Sequence, residues 1–571
     1  MKAPASQPNE RTPGQSTARS GPRADLLIPL ALVAVLFLLG FPSLANYSVT
    51  WDEALGDFFF GERYLSFFTS LDPRYLDFDE NPFPADRSPD LFVSPFKTRP
   101  WEYYPFANTL AAASSEVLSR RLRLLDPFDG FHAVNLFLGA ALILVLHAFA
   151  RPRFGRAAAL AAILLLFLSP RVVCDLMANV KDFPTMVLYS ITVIAASVVI
   201  ERGSARGVLG TGALWGFALA TKANALFLPA IPLAVLALGG VPDAWRGRRR
   251  ALVLALAGGA ALGLVVLVVS WPYLWADPID RLVAHFRYIA HQKFQTRAES
   301  VAPPLEALLF TTPLPFLALF AAGLVPIARR ARERDRAALL SLAWIAVVVA
   351  RLHIPGAVNF DGVRHFLEIF PPMALVAGAG ATWLAAALAR ALGRTRAAIR
   401  APAAALTLAI GLPVTSCAWS LARAHPFEIA YWNALAGGLA GAQARRLPQA
   451  CDYWGASYRV GLRWLNEHAD RDALLAVPIA EHAVRLVAPL WLRPDIRLAA
   501  LTVPMVPDVE PRRLEMLRAA ARDRPVYVMF VLREDWMNAL TDDCRARLRP
   551  ATQWTLGGAP VLVIYRYTPP G

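Results

Sequence analysis

LLIPLALVAVLFLLGFPSLA, residues 26–45, and ALVLALAGGAALGLVVLVVS, residues 251–270, decide the fold class. Each runs 20 residues without an acid or a base. A helix of that length rises about 30 Å, the thickness of the hydrocarbon core of a bilayer. The rest of the chain agrees. Of 571 residues 56% are hydrophobic and only 18% charged, with mean hydropathy +0.41; soluble domains carry about a quarter charged residues. Working outward, further apolar segments fall at 130–150, 156–173, 184–200, 207–221, 224–240, 304–327, 338–352, 366–389 and 402–422. The expectation is a polytopic α-helical membrane protein with about 11 transmembrane helices. Between 221 and 224, Thr-Lys-Ala-Asn calls for a tight polar turn, because a lysine in lipid is costly.

The net charge is +15 and the pI about 10.0, which invites a nucleic-acid partner. The arrangement of the arginines excludes it: they form short clusters between apolar segments, not one basic face. When the spans alternate sides, the clusters at 151–153, 202–206, 246–250, 329–336 and 390–400 all fall on one side, with the Arg-containing tail. The positive-inside rule makes that side cytoplasmic. The other side receives 46–129, 174–183, Lys222, 271–303, 353–365 and 423–571. The protein is thus expected in the plasma (inner) membrane, with residues 1–25 a disordered cytoplasmic tail and 26–422 the membrane domain. Leu26–Ala45 is read as a retained helix, too long for a signal-peptide core. Residues 423–571 are expected to form an extracytoplasmic α/β domain, with strands at 474–477, 526–531 and 561–567 and helices at 456–468 and 512–521. Of four cysteines, Cys174 and Cys417 sit in or beside apolar segments; Cys451 and Cys544 can pair if the C-terminal region is exported.

The outer loops carry the chemistry. Loop 46–129 is far longer than a connector needs, with amphipathic helices expected at 54–70 and 107–125 around a Pro- and Asp-rich excursion at 72–99. Thr50-Trp51-Asp52-Glu53 puts two carboxylates just beyond the first span, suiting a general base, a metal ligand or a grip on a cation; a solvated loop start is the plainer alternative. Asn179-Val180-Lys181-Asp182-Phe183-Pro184 precedes a span. Asp182 suits a helix cap and Pro184 a first turn, while a phosphate partner would explain Lys181. Asn359-Phe360-Asp361-Gly362-Val363-Arg364-His365 offers Arg and His to a phosphate, or to lipid head groups. Trp271-Pro272-Tyr273-Leu274-Trp275, followed by His285, His291 and Lys293, reads as an interface anchor or a platform for sugar rings. HExxH, paired CxxC, P-loop and GxSxG patterns are absent.

In this order these pieces resemble the GT-C membrane glycosyltransferases, and within them the dolichyl-phosphate-mannose-protein mannosyltransferase-like family, glycosyltransferase family 39. The resemblance rests on Trp51-Asp52-Glu53, Asn179 with Lys181-Asp182 and Pro184, and Ala220-Thr221-Lys222-Ala223-Asn224. It continues through Trp271-Pro272-Tyr273-Leu274-Trp275 with Asp277-Pro278, Asp361 to Phe366, and His425-Pro426-Phe427 with Tyr431 and Asn433. Glu102-Tyr103-Tyr104-Pro105-Phe106 departs from the His-Pro-Pro run common late in the first outer loop of such proteins.

The resemblance implies transfer of a sugar from a polyprenyl-phosphate donor to an acceptor protein, lipid or polysaccharide on the non-cytoplasmic face. Asp52 would be the general base, with inversion at the anomeric carbon. Glu53 and Asp182 would orient the acceptor, tune Asp52 or share a divalent metal (Asp52 and Asp182 being the ligands). Lys181, Lys222, Arg364 and His365 would hold the donor phosphate, and Tyr104, Trp271, Tyr273 and Asp361 would line the sugar and acceptor. The rival expectation is a transporter or flippase of lipid-linked saccharides, which should carry paired charges or broken helices near the midplane.

Overall fold

A computed structural model of the chain describes residues 22–83, 94–290, 304–354, 361–392 and 401–570. The tail 1–21, part of the excursion at 84–93, His291, Lys293, Asn359, Phe360 and residues 393–400 lie outside the described residues. Among the described residues seven helices are long and apolar enough to cross a membrane: Leu26–Leu44, Pro127–Phe154, Asp182–Glu201, Arg249–Ser270, Leu314–Arg332, Gly362–Leu392 and Ala403–Ala424. An eighth candidate is a broken pair, Arg156–Phe167 and Pro170–Ala178, bent by 65°. Pro170 causes the break. It disfavours helical backbone at the residue before it, and Ser169 is extended (φ −80°, ψ 117°). The other expected spans fall on helices shorter than the roughly 20 residues of an ordinary crossing: Ala205–Leu219, Ala230–Gly239 and Arg336–Leu352, of 15, 10 and 17 residues. Leu38, Leu39, Val253, Val265 and Val269 leave apolar faces exposed, as lipid contact requires.

Close packing without a hydrophobic driving force calls for small residues. Gly212 and Gly216 of Ala205–Leu219 meet Gly259 and Gly263 of Arg249–Ser270 backbone to backbone, so that a Cβ at Gly212 would strike the Gly259 carbonyl. Gly323 likewise faces the Val376 carbonyl, and Gly380 that of Leu319.

The two ends of the helices differ in chemistry. At one end Arg153 pairs with Glu201 at 2.7 Å, Arg330 donates to the Arg153 carbonyl and Arg336 to that of Gly240. The arginine-rich loops therefore gather together. His132, near the other end of the helix pair that closes at Phe154, meets Glu53. At 1.5 Å per residue the two ends stand about 30 Å apart.

After Ala424 the chain builds a five-stranded sheet in the order β2-β1-β3-β5-β4, with β1 Leu474–Ala476, β2 Arg497–Leu498, β3 Val526–Val531, β4 Pro550–Leu556 and β5 Ala559–Tyr567. β1 pairs in parallel with β2 and β3, while β3–β5 and β4–β5 are antiparallel. The central strand, VYVMFV, is buried on both faces, as its unbroken apolar run requires. Gly557-Gly558 closes the β4–β5 hairpin in two residues, both at positive φ. Helices Tyr458–His468 and Pro511–Asp523 lie where periodicity expects them; the short edge strand β2, β4 and the helices Glu481–Trp491 and Ala539–Arg547 were not foreseen. Cys451 and Cys544 are both buried free thiols, so the disulfide alternative is corrected.

Candidate active site

The segment after the first helix sets the geometry. Residues 53–57 form a π-turn leading into Phe58–Ser70. In an α-helix residues five apart stand about 140° apart; a π-turn bonds i to i+5 and brings them to one side. Asp52 and Asp57 therefore both face Lys181, their carboxylates 3.3 and 3.6 Å from its Nζ. Glu53 turns away. Its Oε2 accepts from the Thr50 amide at 2.8 Å, and His132 Nε2 lies 3.0 Å from its Oε1, both side chains buried. Glu53 thus ties the loop that carries Asp52 to the Thr50 amide and to His132.

Asn179, rather than Asp182, caps the next helix. Asn179 Oδ1 accepts from the amides of Lys181 and Asp182 at 3.0 and 2.7 Å, and its Nδ2 donates to Asp182 Oδ2 at 2.9 Å. The Asp182 carboxylate, freed from capping, receives Arg364 Nη1 at 3.2 Å and the Lys222 ammonium. Lys222 stands in the polar turn after Ala205–Leu219, with His365 Nδ1 3.3 Å from its Nζ. Arg364 also reaches Asp52 Oδ2 at 3.4 Å and Asp361 Oδ2 at 2.8 Å. Asp361 adopts a left-handed backbone (φ 57°), tolerated by Asp, which aims its carboxylate back at Arg364.

Burial favours the neutral acid at Asp52, yet Lys181 and Arg364 outweigh it and hold the carboxyl below its ordinary value. Burial raises Asp57 to about 7, against the pull of Lys181. Burial alone would lower the Lys181 ammonium; Asp52, Asp57 and Asp182 hold it above its usual value. Of the three carboxylates, the Asp52 side chain alone is open, 25% exposed against 1% for Asp57 and 0% for Asp182. Asp52 and Asp182, the pair the sequence offers to a divalent metal, already share the Arg364 guanidinium. Among the described residues no group of three or more His, Cys, Asp or Glu side chains converges for an ion. This donor set fits ion pairs rather than a metal.

The aromatic residues stand behind the Lys222 turn. Tyr104 Oη accepts from the Ala223 amide at 3.1 Å and lies 2.7 Å from His285 Nε2, while His285 Nδ1 lies 2.7 Å from the Trp101 carbonyl. Burial lowers His285 to about 4, so it is neutral: Nδ1–H donates to Trp101 and Nε2 accepts from Tyr104. Trp271 is fully buried against Tyr104 and His285, and therefore backs this chain instead of offering a face to a sugar; Tyr273 is half-buried under Arg281. His425 and Asn433 form a structural joint, His425 with Tyr47 and Glu428, Asn433 with the carbonyls of Leu309 and Thr312.

Sequence reasoning named Asp52, Asp182, Lys181, Lys222, Arg364, His365 and Asp361, which meet in this one cluster. It missed Asp57, His132 and Arg533, whose Nη2 donates to Asp361 Oδ1 at 3.2 Å, and named His285 only beside the aromatic segment. No spacing signals Asp57, since residues five apart fall on different faces of an α-helix and only the π-turn joins them.

Residues 128–272 match the protein family described as dolichyl-phosphate-mannose-protein mannosyltransferase. The match to the mannosyltransferase family takes in Lys181, Asp182 and Lys222 and stops short of Asp52 and Arg364. The chain thus resembles the GT-C membrane glycosyltransferases in sequence as well as by its motifs. The archaeal oligosaccharyltransferase AglB from Archaeoglobus fulgidus, solved with an inhibitory peptide and a dolichol-phosphate, shares the fold at TM-score 0.50 and 13% identity, over 89% of this chain and 69% of that one. ArnT from Cupriavidus metallidurans, solved bound to undecaprenyl phosphate, aligns at TM-score 0.48 and 16% identity, over 95% of this chain and 98% of that one. No curated protein sequence matches the chain.

Proposed function

We propose that the chain is a glycosyltransferase that moves a sugar from a polyprenyl-phosphate donor to a hydroxyl acceptor (protein, lipid or polysaccharide) on the non-cytoplasmic face of the membrane. The observation that carries this reading is the convergence of Lys181 and Arg364 on one open carboxylate, Asp52, with Lys222 on the neighbouring Asp182, at the helix end opposite the arginine-rich loops. A donor of this class keeps its tail in lipid and its phosphosugar at the interface, where these cations wait. The reading includes about eleven membrane segments, residues 1–25 inside, 26–422 as the catalytic membrane domain, and 423–571 outside.

The chemistry follows from the charges. In the resting site Lys181 and Arg364 depress the basicity of Asp52. A donor phosphate draws those cations to itself, and Asp52 becomes a better base when the substrate is bound. The acceptor oxygen attacks the anomeric carbon and Asp52 takes its proton. The bond from that carbon to the phosphate oxygen breaks, and its electron pair leaves on polyprenyl phosphate, stabilised by Lys181, Lys222 and Arg364. One displacement without a protein nucleophile inverts the centre.

The test uses membranes given radiolabelled undecaprenyl-phosphate sugars and crude envelope acceptor. Asp52→Asn should slow transfer about 10²–10⁴-fold at equal expression, and wild-type rates would end the assignment. A flippase would leave the sugar–phosphate bond intact in every sample.

A further inference from the structure

The Asp52 segment and Arg364 both terminate in contacts with the part of the chain beyond residue 450. The Ser48 amide donates to the Ala456 carbonyl at 2.8 Å and the Trp51 amide to that of Trp454 at 3.0 Å. Asp452 organises that receiving turn, accepting from the amides of Trp454, Gly455 and Ser457. The Trp51 ring, 5% exposed, sits among side chains of the same unit: Trp536 at 4.5 Å and His482 at 4.9 Å between ring centroids, with its Nε1 donating to Met505 Sδ at 3.3 Å. Arg533 joins both halves. Its guanidinium lies 5.4 Å from the Trp51 ring, its Nη1 donates to the Tyr453 carbonyl, and its Nη2 donates to Asp361 Oδ1 at 3.2 Å. The other oxygen of Asp361 holds Arg364, which in turn touches Asp52 and Asp182.

We propose that Arg533 is a positioning residue of the site, supplied by the C-terminal unit, which sets Arg364 through Asp361 and the Asp52 loop through Trp51. This rests on the reading of Arg364 as a ligand of the donor phosphate. Asp361 carries two arginines, one on each oxygen. Without Arg533 its carboxylate is free to rotate, and Arg364 loses the fixed partner that points Nη1 toward Asp52. A buried carboxylate bridging two guanidiniums couples their orientations, because each bond is directional and water is excluded. The C-terminal unit is then part of the catalytic assembly and not merely a selector of acceptors.

The experiment is a double-mutant cycle on the detergent-purified full chain, read as affinity for undecaprenyl phosphate. Arg533→Met keeps the aliphatic stem and removes the fork. It should weaken binding about tenfold in the wild-type background, a coupling within the usual range for groups in one network. In the Arg364→Met background the same change should do almost nothing, since the group it positions is gone. Arg533→Lys, which retains charge but cannot fork between Asp361 and the Tyr453 carbonyl, should fall between. Equal weakening in both backgrounds, or none in either, overturns the proposal, since a general structural defect does not depend on Arg364. If Arg364→Met alone leaves binding unchanged, the phosphate reading fails. Hydrogen exchange at the Ser48 and Trp51 amides then decides positioning: faster exchange in Arg533→Met upholds it, and unchanged exchange overturns it.

Discussion

Asp57 is a residue of the cluster whose charge changes near neutral pH. It is buried, accepts from Asn108 Nδ2 at 2.9 Å, and shares Lys181 with Asp52. Its folded value of about 7 lies above the ordinary carboxyl value of 3.8. The folded protein thus holds a proton there that the unfolded chain releases. The stability this confers is complete below about pH 4 and is lost as pH rises through about 7. Asp57→Asn, which stays neutral, should remove that part of the slope when the thermal midpoint of the purified protein is followed from pH 5 to 8. An equal slope in both proteins would refute the assignment. The same residue shows where side-chain reading stops. Asp52, Lys181, Asp182, Lys222 and Arg364 were legible because charges at the edge of an apolar segment are costly and demand a reason. Asp57 was not, because it reads as a polar position on an amphipathic helix, and only a π-turn carries it round to Lys181. His132 was hidden inside an apolar segment and Arg533 in a water-side region where arginine is ordinary.

At the scale of elements, the position of Lys222 depends on how closely two helices approach. Ala205–Leu219 ends just before the lysine turn and packs along Arg249–Ser270 through Gly212, Gly216, Gly259 and Gly263. A side chain at Gly259 has the Val208 carbonyl 3.1 Å from its Cβ, with Gly212 and Leu209 close behind. Gly259→Val should therefore push the pair apart at a cost of about 1–3 kcal/mol, as overpacking does, and displace Lys222 from Asp182. The checks are a lower thermal midpoint and weaker undecaprenyl phosphate binding than wild type; a variant equal to wild type in both would show that this contact does not set the turn. The apolar segments themselves were legible from composition, down to the polar turn at Lys222. Their interruptions were not. Ser169-Pro170 breaks one expected span and Pro313 divides another, leaving Pro304–Thr311 and Leu314–Arg332. Helices of 10 to 17 residues count as spans on hydropathy alone and are shorter than the roughly 20 residues of an ordinary crossing. In the sheet, β3 announced itself by its unbroken apolar run, whereas β2, two residues long, has no pattern to read.

For the molecule as a whole, the separation of charge between its two ends carries the proposed orientation in the membrane. Arg153, Arg330 and Arg336 cluster with Glu201 and the Gly240 carbonyl at one end; the Asp52 cluster and the sheet unit, hydrogen-bonded to residues 48–51, occupy the other. Lysine and arginine in short loops are retained on the cytoplasmic side, so the proposed function expects the site and the sheet to face outward together. All four native cysteines are buried, which gives a quiet background for labelling. Glu467, on the Tyr458–His468 helix, has a side chain 72% exposed, and Glu333 is exposed in the arginine-rich turn. In intact spheroplasts a membrane-impermeant maleimide should modify Glu467→Cys at once and Glu333→Cys only after lysis. The reverse pattern would put Asp52 in the cytoplasm, where soluble nucleotide sugars compete as donors, and the polyprenyl-phosphate reading would lose its reason. Labelling of both from outside would mean that the arginine loops are not held on the far side at all. The expected pattern leaves the charge cluster where a lipid-borne donor, its sugar already across the bilayer, would meet Lys181, Lys222 and Arg364 at the rim of the helices.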